Sequence, residues 1–351
     1  MLIDTAGTHI GWPAQQLELL GRCPICGSRE RSLRFQGLTD KVFRAAPGAW
    51  DLYVCGACRA HYLDPRPTQA TIGRAYAGYY THAQNETSAC FWQDGSWKSR
   101  LKTDYLNREY GYAFAALPLG WAAVRLRPSL RAAIDYHIRH LPAPRGHRAA
   151  LLDVGCGNGE FLGVATALGF AATGIDFDAD AVAAGRGAGF DVRTASMDDL
   201  DPGEGRFQHI TLSHTLEHLH WPLAALGKCL ELLEPGGRVW ISLPNMNAPG
   251  LERFGPDWRG LEPPRHLTLY GFDSLARLLA AAGFGDIRLM RSDEPAMFYY
   301  RQSEAIAQGD DPYGREQASA EVARAAQAAN RRARRDPLCG ESITVTARRP
   351  G

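Results

Sequence analysis

A glycine-rich turn between a short apolar segment and an apolar helix is the feature that most constrains the fold of this chain. The pattern predicts a strand at residues 151–154 and a helix at 161–168, with Gly155, Gly157 and Gly159 between them. Glycine lets a backbone turn sharply and approach a ligand with no Cβ in the way. Ligands of open α/β sheets bind at the carboxyl ends of the strands. The segment therefore predicts a doubly wound α/β fold with a ligand site at this turn.

The acidic residues near the turn indicate which kind of ligand it can hold. The spacing G-x-G-x-G differs from the G-x-G-x-x-G of dinucleotide folds. The carboxylate of Asp153 beside the turn disfavours a pyrophosphate and favours a cationic ligand. Asp176 ends the next predicted strand, where an acid can accept the hydroxyls of a ribose. Asp198, with Asp199 as the alternative, follows the third strand and can bind an adenine amino group.

The rest of the C-terminal region alternates between strand and helix patterns. Strands are predicted at 171–177, 190–194, 207–213, 238–243, 286–291 and 342–347, and helices at 179–188, 222–233, 272–282 and 316–335. This alternation favours a mostly parallel sheet covered on both faces. We predict three domains: a small cysteine-bearing module at 1–66, a helical and aromatic linker region at 67–148, and the α/β domain at 149–351.

Several short motifs resemble those of class I methyltransferases. They are D-V-G-C-G-N-G, G-I-D, the acid in A-S-M-D-D, H-T-L-E-H and the E-P-G-G turn, spread over residues 151–347. The resemblance implies a Rossmann-like, seven-stranded sheet with a reversed last strand, and S-adenosylmethionine as methyl donor. It places the turn at the methionine part, Asp176 at the ribose and Asp198 at the adenine. The donor-site residues it implies are Asp153, Gly155, Cys156, Gly157, Gly159, Asp176, Phe177, Met197, Asp198 and Ser213.

Two C-x-x-C pairs predict a metal site in the N-terminal module. Cys23 and Cys26 form one pair, and Cys55 and Cys58 form the other. Four thiolates at this spacing suit tetrahedral zinc, so we predict a structural zinc ribbon. The N-terminus shows no secretory pattern and no apolar stretch is long enough to span a bilayer. We therefore expect a cytoplasmic protein whose cysteines are not paired as disulfides.

The segment after the second pair bears on the acceptor. Y-L-D-P-R-P-T, residues 62–68, resembles methyltransferases that carry such a module in sugar-modifying gene families. The alternative is a ribbon that binds RNA for an RNA methyltransferase, which would require a basic, aromatic-studded module. The net charge of the chain is +1, and an Asn/Asp-Pro-Pro-aromatic turn is absent after the fourth strand. We therefore expect a small-molecule acceptor rather than a nucleic acid.

The H-x-x-E-H motif after the fourth strand supplies the candidate catalytic residues His214, Glu217 and His218. In one interpretation His214 is a general base for an acceptor hydroxyl, since an imidazole has a suitable pKa. In a second, all three bind a divalent metal that polarises the acceptor, as the resemblance to ubiquinone-pathway O-methyltransferases encourages. In a third, Glu217 and His218 only position the neighbouring loop and helix.

A long irregular stretch, residues 244–267, follows the fifth strand and predicts a lid or acceptor wall. Trp258, Arg265 and His266 are its candidates for holding a polar substrate. The pattern W-R-G-x-x-P-P-R-H resembles the same segment in methyltransferases that act on saccharides. We therefore predict transfer of a methyl group to a saccharide or nucleotide-sugar hydroxyl. A sugar carbon or a quinone-type phenol is the alternative acceptor.

Overall fold

The computed structural model describes residues 11–76, 90–146, 149–204, 206–293 and 295–351. Parts of the predicted module (1–10) and of the predicted linker region (77–89 and 147–148) lie outside the described residues. The strands are β1 Leu17–Glu18, β2 Arg31–Leu38, β3 Trp50–Cys55, β4 His61–Leu63, β5 Arg66–Pro67, β6 Ala150–Val154, β7 Ala171–Asp176, β8 Asp191–Thr194, β9 Phe207–Ser213, β10 Leu233–Pro244, β11 Thr268–Leu269, β12 Gly285–Met290 and β13 Ser342–Arg348.

The helices follow the predicted alternation, with additions. They are α1 Trp97–Tyr110, α2 Gly120–Arg125, α3 Pro128–His137, α4 Glu160–Ala167, α5 Ala179–Gly187, α6 Pro222–Leu232, α7 Pro249–Phe254, α8 Phe272–Ala281, α9 Ala296–Gln308 and α10 Ala320–Arg335. The sequence interpretation contained neither α9 nor the short α7. The helix predicted at 316–335 begins later, at Ala320, because the side chain of Ser319 caps it by accepting the N–H of Val322. Among the described helices, none has the length and apolar composition that crossing a bilayer requires.

The large sheet has seven strands in the order β12-β13-β10-β9-β6-β7-β8. β10, β9, β6, β7 and β8 pair in parallel, and β13 runs antiparallel to both of its neighbours, β10 and β12. The predicted mostly parallel sheet with a reversed last strand is confirmed. The carboxyl ends of β6, β7 and β9 therefore meet at one edge of the sheet.

Helices cover both faces of this sheet, as the doubly wound prediction requires. Adjacent residues on a strand point to opposite faces. In β6, Leu151 packs into a cluster with side chains from α1, α3 and α4, whereas Leu152 packs into a cluster with side chains from α6 and α8. The helical region therefore packs directly on one face of the sheet.

Three strands of the N-terminal module join β11 in a four-stranded sheet, in the order β11-β4-β3-β2, and β1 pairs with β5 in a separate two-stranded sheet. The edge strand β11 comes from the irregular stretch after β10, where Thr268 pairs with Tyr62 and Leu269 with His61. Cys23, Cys55 and Cys58 are buried in the same hydrophobic cluster as residues of the large sheet. The module therefore shares its sheet and its core with the rest of the chain, while the domain boundaries at 66 and 148 stay a prediction.

Candidate functional site

A cleft of about 220 Å³ opens at the carboxyl ends of β6 and β7. Five of the predicted donor-site residues line it: Gly155, Asp176, Phe177, Met197 and Asp198. The wall opposite Asp176 comes from the segment after β9 and from the start of α6, with Thr215, Leu219, His220, Trp221, Ala224 and Ala225. This is the edge of the sheet at which open α/β folds bind their ligands.

Asp176 is a buried polar group of the cleft that two backbone hydrogen bonds hold in place. Its carboxylate accepts the N–H of Gly157 at 2.8 Å through Oδ2 and the N–H of Asp178 at 2.9 Å through Oδ1. Burial raises the pKa of Asp176, and the two backbone N–H groups oppose that rise. A buried carboxylate with remaining acceptor capacity can bind two neighbouring hydroxyl groups of a ligand.

The three glycines of the turn serve different purposes. All three have a left-handed backbone, with φ of 71° at Gly155, 54° at Gly157 and 81° at Gly159. A Cβ at Gly155 would lie 2.5 Å from Oγ1 of Thr215, whereas a Cβ at Gly157 would have no atom within 4 Å. Gly159 precedes the first residue of α4. The turn is therefore packed against Thr215 at Gly155, whereas a side chain at Gly157 would have free space around its Cβ.

The two candidate residues for adenine binding, Asp198 and Asp199, have different surroundings in the structure. Asp198 is exposed and lines the cleft. Asp199 instead accepts the N–H of Ser196 at 2.7 Å and closes the short turn that holds both residues. Of the two, Asp198 therefore has the carboxylate that faces the cleft.

Three other predicted donor-site residues, Asp153, Cys156 and Ser213, are not among the residues that line the cleft. Asp153 is 1% exposed and forms an ion pair with Arg139, and the hydroxyl of Thr211 donates to it at 2.7 Å. The thiol of Cys156 packs against Gly174 of β7, where an added Cβ would lie 2.5 Å from Sγ. Ser213 is the last residue of β9.

His214 stands directly after β9 and has a left-handed backbone with φ of 51°, a conformation that is strained for a residue with a side chain. Its N–H donates to the carbonyl of Ser242 at 2.8 Å. The side chain is 43% exposed, and its Nδ1 lies 3.5 Å from Oε1 of Glu217. The backbone of β10 therefore helps to hold an accessible imidazole against a buried carboxylate.

Glu217 is fully buried, and the nearby imidazoles hold its pKa below the usual value although burial opposes this. A potential ligand atom of Glu217, one of His218 and one of His266 all lie within 4.8 Å of one another. Nδ1 of His266 donates to the carbonyl of Gly260 at 2.8 Å, and burial lowers the pKa of this imidazole to about 4. Nδ1 of His218 lies 3.0 Å from the hydroxyl of Tyr76 and 3.1 Å from the carbonyl of Arg265. The structure thus groups Glu217 and His218 with His266.

Trp258 and Arg265, predicted as acceptor contacts, lie in the protein interior. Nε1 of Trp258 donates to the carboxylate of Glu341 at 2.9 Å, and Trp258 is 1% exposed. The guanidinium of Arg265 pairs with Asp40 and Glu262 and donates to a backbone carbonyl. A guanidinium can be buried only with such partners. In this structure both side chains bind other parts of the chain, not the cleft.

The four predicted zinc ligands converge, and they are called the four-cysteine cluster below: Cys23, Cys26, Cys55 and Cys58. The Sγ atoms of Cys23 and Cys58 are 3.6 Å apart, and those of Cys26 and Cys55 are 3.5 Å apart. Tetrahedral zinc with bonds of about 2.3 Å to sulfur has S–S edges of about 3.8 Å. The thiols therefore fit a zinc ion.

Three side chains at the site were not predicted from the sequence. Trp221 lines the cleft and is 54% exposed. Tyr76 contacts both His218 and the ring of Phe177, whose centroid is 5.1 Å away. Arg139 neutralises Asp153 from the end of the helical region. An aromatic residue directly before a helix-starting proline was a signal for Trp221, whereas only the fold brings Tyr76 and Arg139 to the site.

Sequence comparisons relate this chain to methyltransferases. Residues 126–289 match the family described as methyltransferase domain, so the predicted resemblance is confirmed. A ubiquinone biosynthesis O-methyltransferase of Xanthomonas euvesicatoria is 36% identical over 104 residues, which are 28% of this chain and 44% of that protein. The corresponding protein of Nitrosococcus oceani is 34% identical over 116 residues, 31% of this chain and 48% of its own length.

The chain thus spans less than half the length of these curated relatives. Among solved structures, a SAM-dependent methyltransferase from Archaeoglobus fulgidus is similar with a TM-score of 0.41 and 21% identity, over 65% of this chain and 93% of that one.

Proposed function

Because residues 126–289 match a methyltransferase domain, we propose that this chain transfers a methyl group from S-adenosylmethionine to a hydroxyl group of a small molecule. The observation that carries the proposal is the buried carboxylate of Asp176, which lines the cleft and is fixed by two backbone N–H groups. A ribose would give this carboxylate the hydroxyl donors that it can still accept.

The residues around the cleft fit the donor. The empty space beside Gly157 leaves room for the methionine part, Asp176 would bind the ribose, and Asp198 and Phe177 would bound the adenine. When bound, S-adenosylmethionine would supply a methyl group on a cationic sulfur. The residues that line the cleft would align it and exclude water, which are the main contributions that methyl transfer needs from a protein.

We assign the general base to His214. The carboxylate of Glu217, 3.5 Å from Nδ1, would orient the imidazole and leave Nε2 to take the proton of the acceptor hydroxyl. Its half-exposed side chain and its place directly after β9 put it at the edge of the sheet that bears the cleft.

A metal-assisted route is the second candidate, and one observation favours it. Both carboxylate oxygens of Glu217 are buried with no hydrogen-bond partner of good geometry among the described residues. Glu217, His218 and His266 would hold a divalent cation, which would polarise the acceptor hydroxyl. This ligand set uses His266 where the sequence interpretation used His214.

For the acceptor we propose a phenolic hydroxyl of the quinone type. Trp258 and Arg265, the reason to expect a saccharide, are engaged inside the protein. The curated relatives are named as ubiquinone biosynthesis O-methyltransferases, and the exposed aromatic side chain of Trp221 borders the cleft. A saccharide hydroxyl stays the alternative, supported by the resemblance of residues 62–68. We also propose a structural zinc ion in the four-cysteine cluster. The cytoplasmic location stays a prediction.

The test uses the purified chain with isotopically labelled S-adenosylmethionine and two acceptor panels, catechols and saccharides, read by mass spectrometry. We expect label in the catechols. His214→Ala should lower turnover strongly, leave donor affinity nearly unchanged, and regain activity when imidazole is added to the buffer. Activity lost to a chelator and restored by magnesium, with zinc retained, would assign the metal route. Absence of donor binding would refute the proposal as a whole.

A further inference from the structure

A surface formed by α2 and the end of α10 combines exposed leucines with arginines. Leu119 and Leu126 are 76% and 83% exposed, and they flank α2. They stand directly before and directly after the helix, at its N-cap and C-cap positions. Gly120 and Val124 of the helix are buried and anchor α2 to the rest of the chain.

The sequence around α2 carries positive charge. From residue 111 to residue 134 it contains three arginines, Arg125, Arg127 and Arg131, and no aspartate or glutamate. Glu109, just before this stretch, lies 3.4 Å from both Arg125 and Arg131. Arg127 is exposed and stands directly beside Leu126.

The fold adds the basic end of α10 to this surface. Nη1 of Arg334 donates to the hydroxyl of Ser129 at 2.6 Å, two residues after Arg127. Arg331 and Arg335 are exposed and lie on the same side of α10 as Arg334, because residues three or four apart are neighbours on a helix. Two segments distant in sequence therefore build one surface, called the basic–apolar face, from Leu119, Leu126, Arg127, Arg331, Arg334 and Arg335.

We propose that the basic–apolar face docks on an anionic lipid bilayer. Arginines attract anionic headgroups, and leucines beside them can enter the boundary between headgroups and acyl chains. Nucleic acid would use the arginines but would gain little from two exposed leucines, since it is bound through phosphate contacts and aromatic stacking. A bilayer matches both parts of the face.

The basic–apolar face lies at the edge of the large sheet that also bears the donor cleft. Nη1 of Arg291, which directly follows β12, lies near the carbonyl of Arg334. β12 runs antiparallel to β13, which runs antiparallel to β10, so β12 ends at the same edge of the sheet as β6 and β7. The face thus adjoins the sheet edge that bears the donor cleft. The docking itself does not depend on the proposed function, but it would bring that edge near an acceptor dissolved in the membrane.

The experiment is co-sedimentation of the full chain with vesicles of phosphatidylcholine alone or with about one third phosphatidylglycerol. We expect partition to the anionic vesicles that weakens as salt rises. Arg127→Gln with Arg335→Gln should lower this partition about 30-fold, since each basic residue near the surface contributes about fivefold. Leu119→Asn with Leu126→Ser should lower it at least about tenfold, and asparagine tolerates the left-handed backbone of Leu119 (φ 72°).

The matched control is Leu19→Ser with Arg22→Gln, an exposed leucine and an exposed arginine of the N-terminal module. It should partition like the unchanged chain. Thermal unfolding and donor binding, measured on every variant, establish that the fold and the cleft are intact. No binding of the unchanged chain to anionic vesicles at low salt, equal partition of all variants, or preference for a short RNA or DNA duplex over vesicles would overturn the proposal.

Discussion

Gly157→Ala should weaken donor binding while leaving the fold nearly intact. The new methyl group would stand in empty space, because a Cβ at this position has no atom within 4 Å. The backbone cost is that of alanine at φ of 54°, about 1–2 kcal/mol. If that space holds the donor, overpacking against it costs about 1–3 kcal/mol. The dissociation constant should then rise about 10- to 100-fold.

Two further glycines make the comparison diagnostic. Gly189, after α5, also has a left-handed backbone, with φ of 87°, and no atom within 4 Å of an added Cβ, but it lies just before β8, at the opposite edge of the sheet from the cleft. Gly189→Ala should therefore cost similar stability and no donor affinity. Gly155→Ala should destabilise the fold more than either, since its Cβ would lie 2.5 Å from Thr215, whose hydroxyl donates to the carbonyl of Val154.

The assay is isothermal titration of each variant with S-adenosylhomocysteine, alongside thermal unfolding without ligand. The decisive quantity is the difference in affinity between Gly157→Ala and Gly189→Ala. Equal affinities for these two variants would refute the assignment of the space beside Gly157 to the donor, whatever their stabilities.

Two other predictions follow from the site. Asp176→Asn should raise the dissociation constant of the donor about 10- to 100-fold, the range expected when a charged hydrogen-bond acceptor is lost; an unchanged constant would remove Asp176 from the ribose site. The purified chain should contain about one zinc ion per molecule, bound by the four-cysteine cluster. Extraction of the zinc should abolish turnover before it abolishes donor binding, and metal analysis combined with titration of the donor can follow both losses. A protein that is purified without chelator and contains no zinc would contradict this.

Much of the fold could be predicted from the sequence because the α/β domain obeys local rules. A glycine turn, an acid at the end of a strand and alternating apolar segments each follow from requirements within a few residues. Gly157 and Asp176 illustrate this: each is predicted from its own segment, and in the structure the N–H of Gly157 donates to the carboxylate of Asp176. The resemblance carried by the ordered motifs then implied a seven-stranded sheet with a reversed last strand.

The side-chain contacts that the sequence did not predict are those made with distant segments. Asp153 sits beside the turn, as predicted, but its carboxylate pairs with Arg139, which stacks at 3.6 Å on the ring of Phe161. Arg265 has a charged side chain that could bind a polar substrate, yet Asp40 of the N-terminal module forms an ion pair with it. Neither pairing has a local signature, because each joins residues that come together only in the folded chain.

The same long-range contacts explain why the N-terminal module belongs to the site. Asp40 holds the side chain of Arg265, and the carbonyl of Arg265 lies 3.1 Å from Nδ1 of His218. The N–H of Leu267 donates to the carbonyl of Glu217 at 2.8 Å, and β11 begins at the next residue and pairs with β4 of the module. The H-x-x-E-H segment is therefore braced against a strand of the four-stranded sheet. The carboxylate of Asp176 is instead held by the N–H groups of Gly157 and Asp178, in the loops that follow β6 and β7. Loss of zinc should consequently disturb the acceptor side of the site before the donor side.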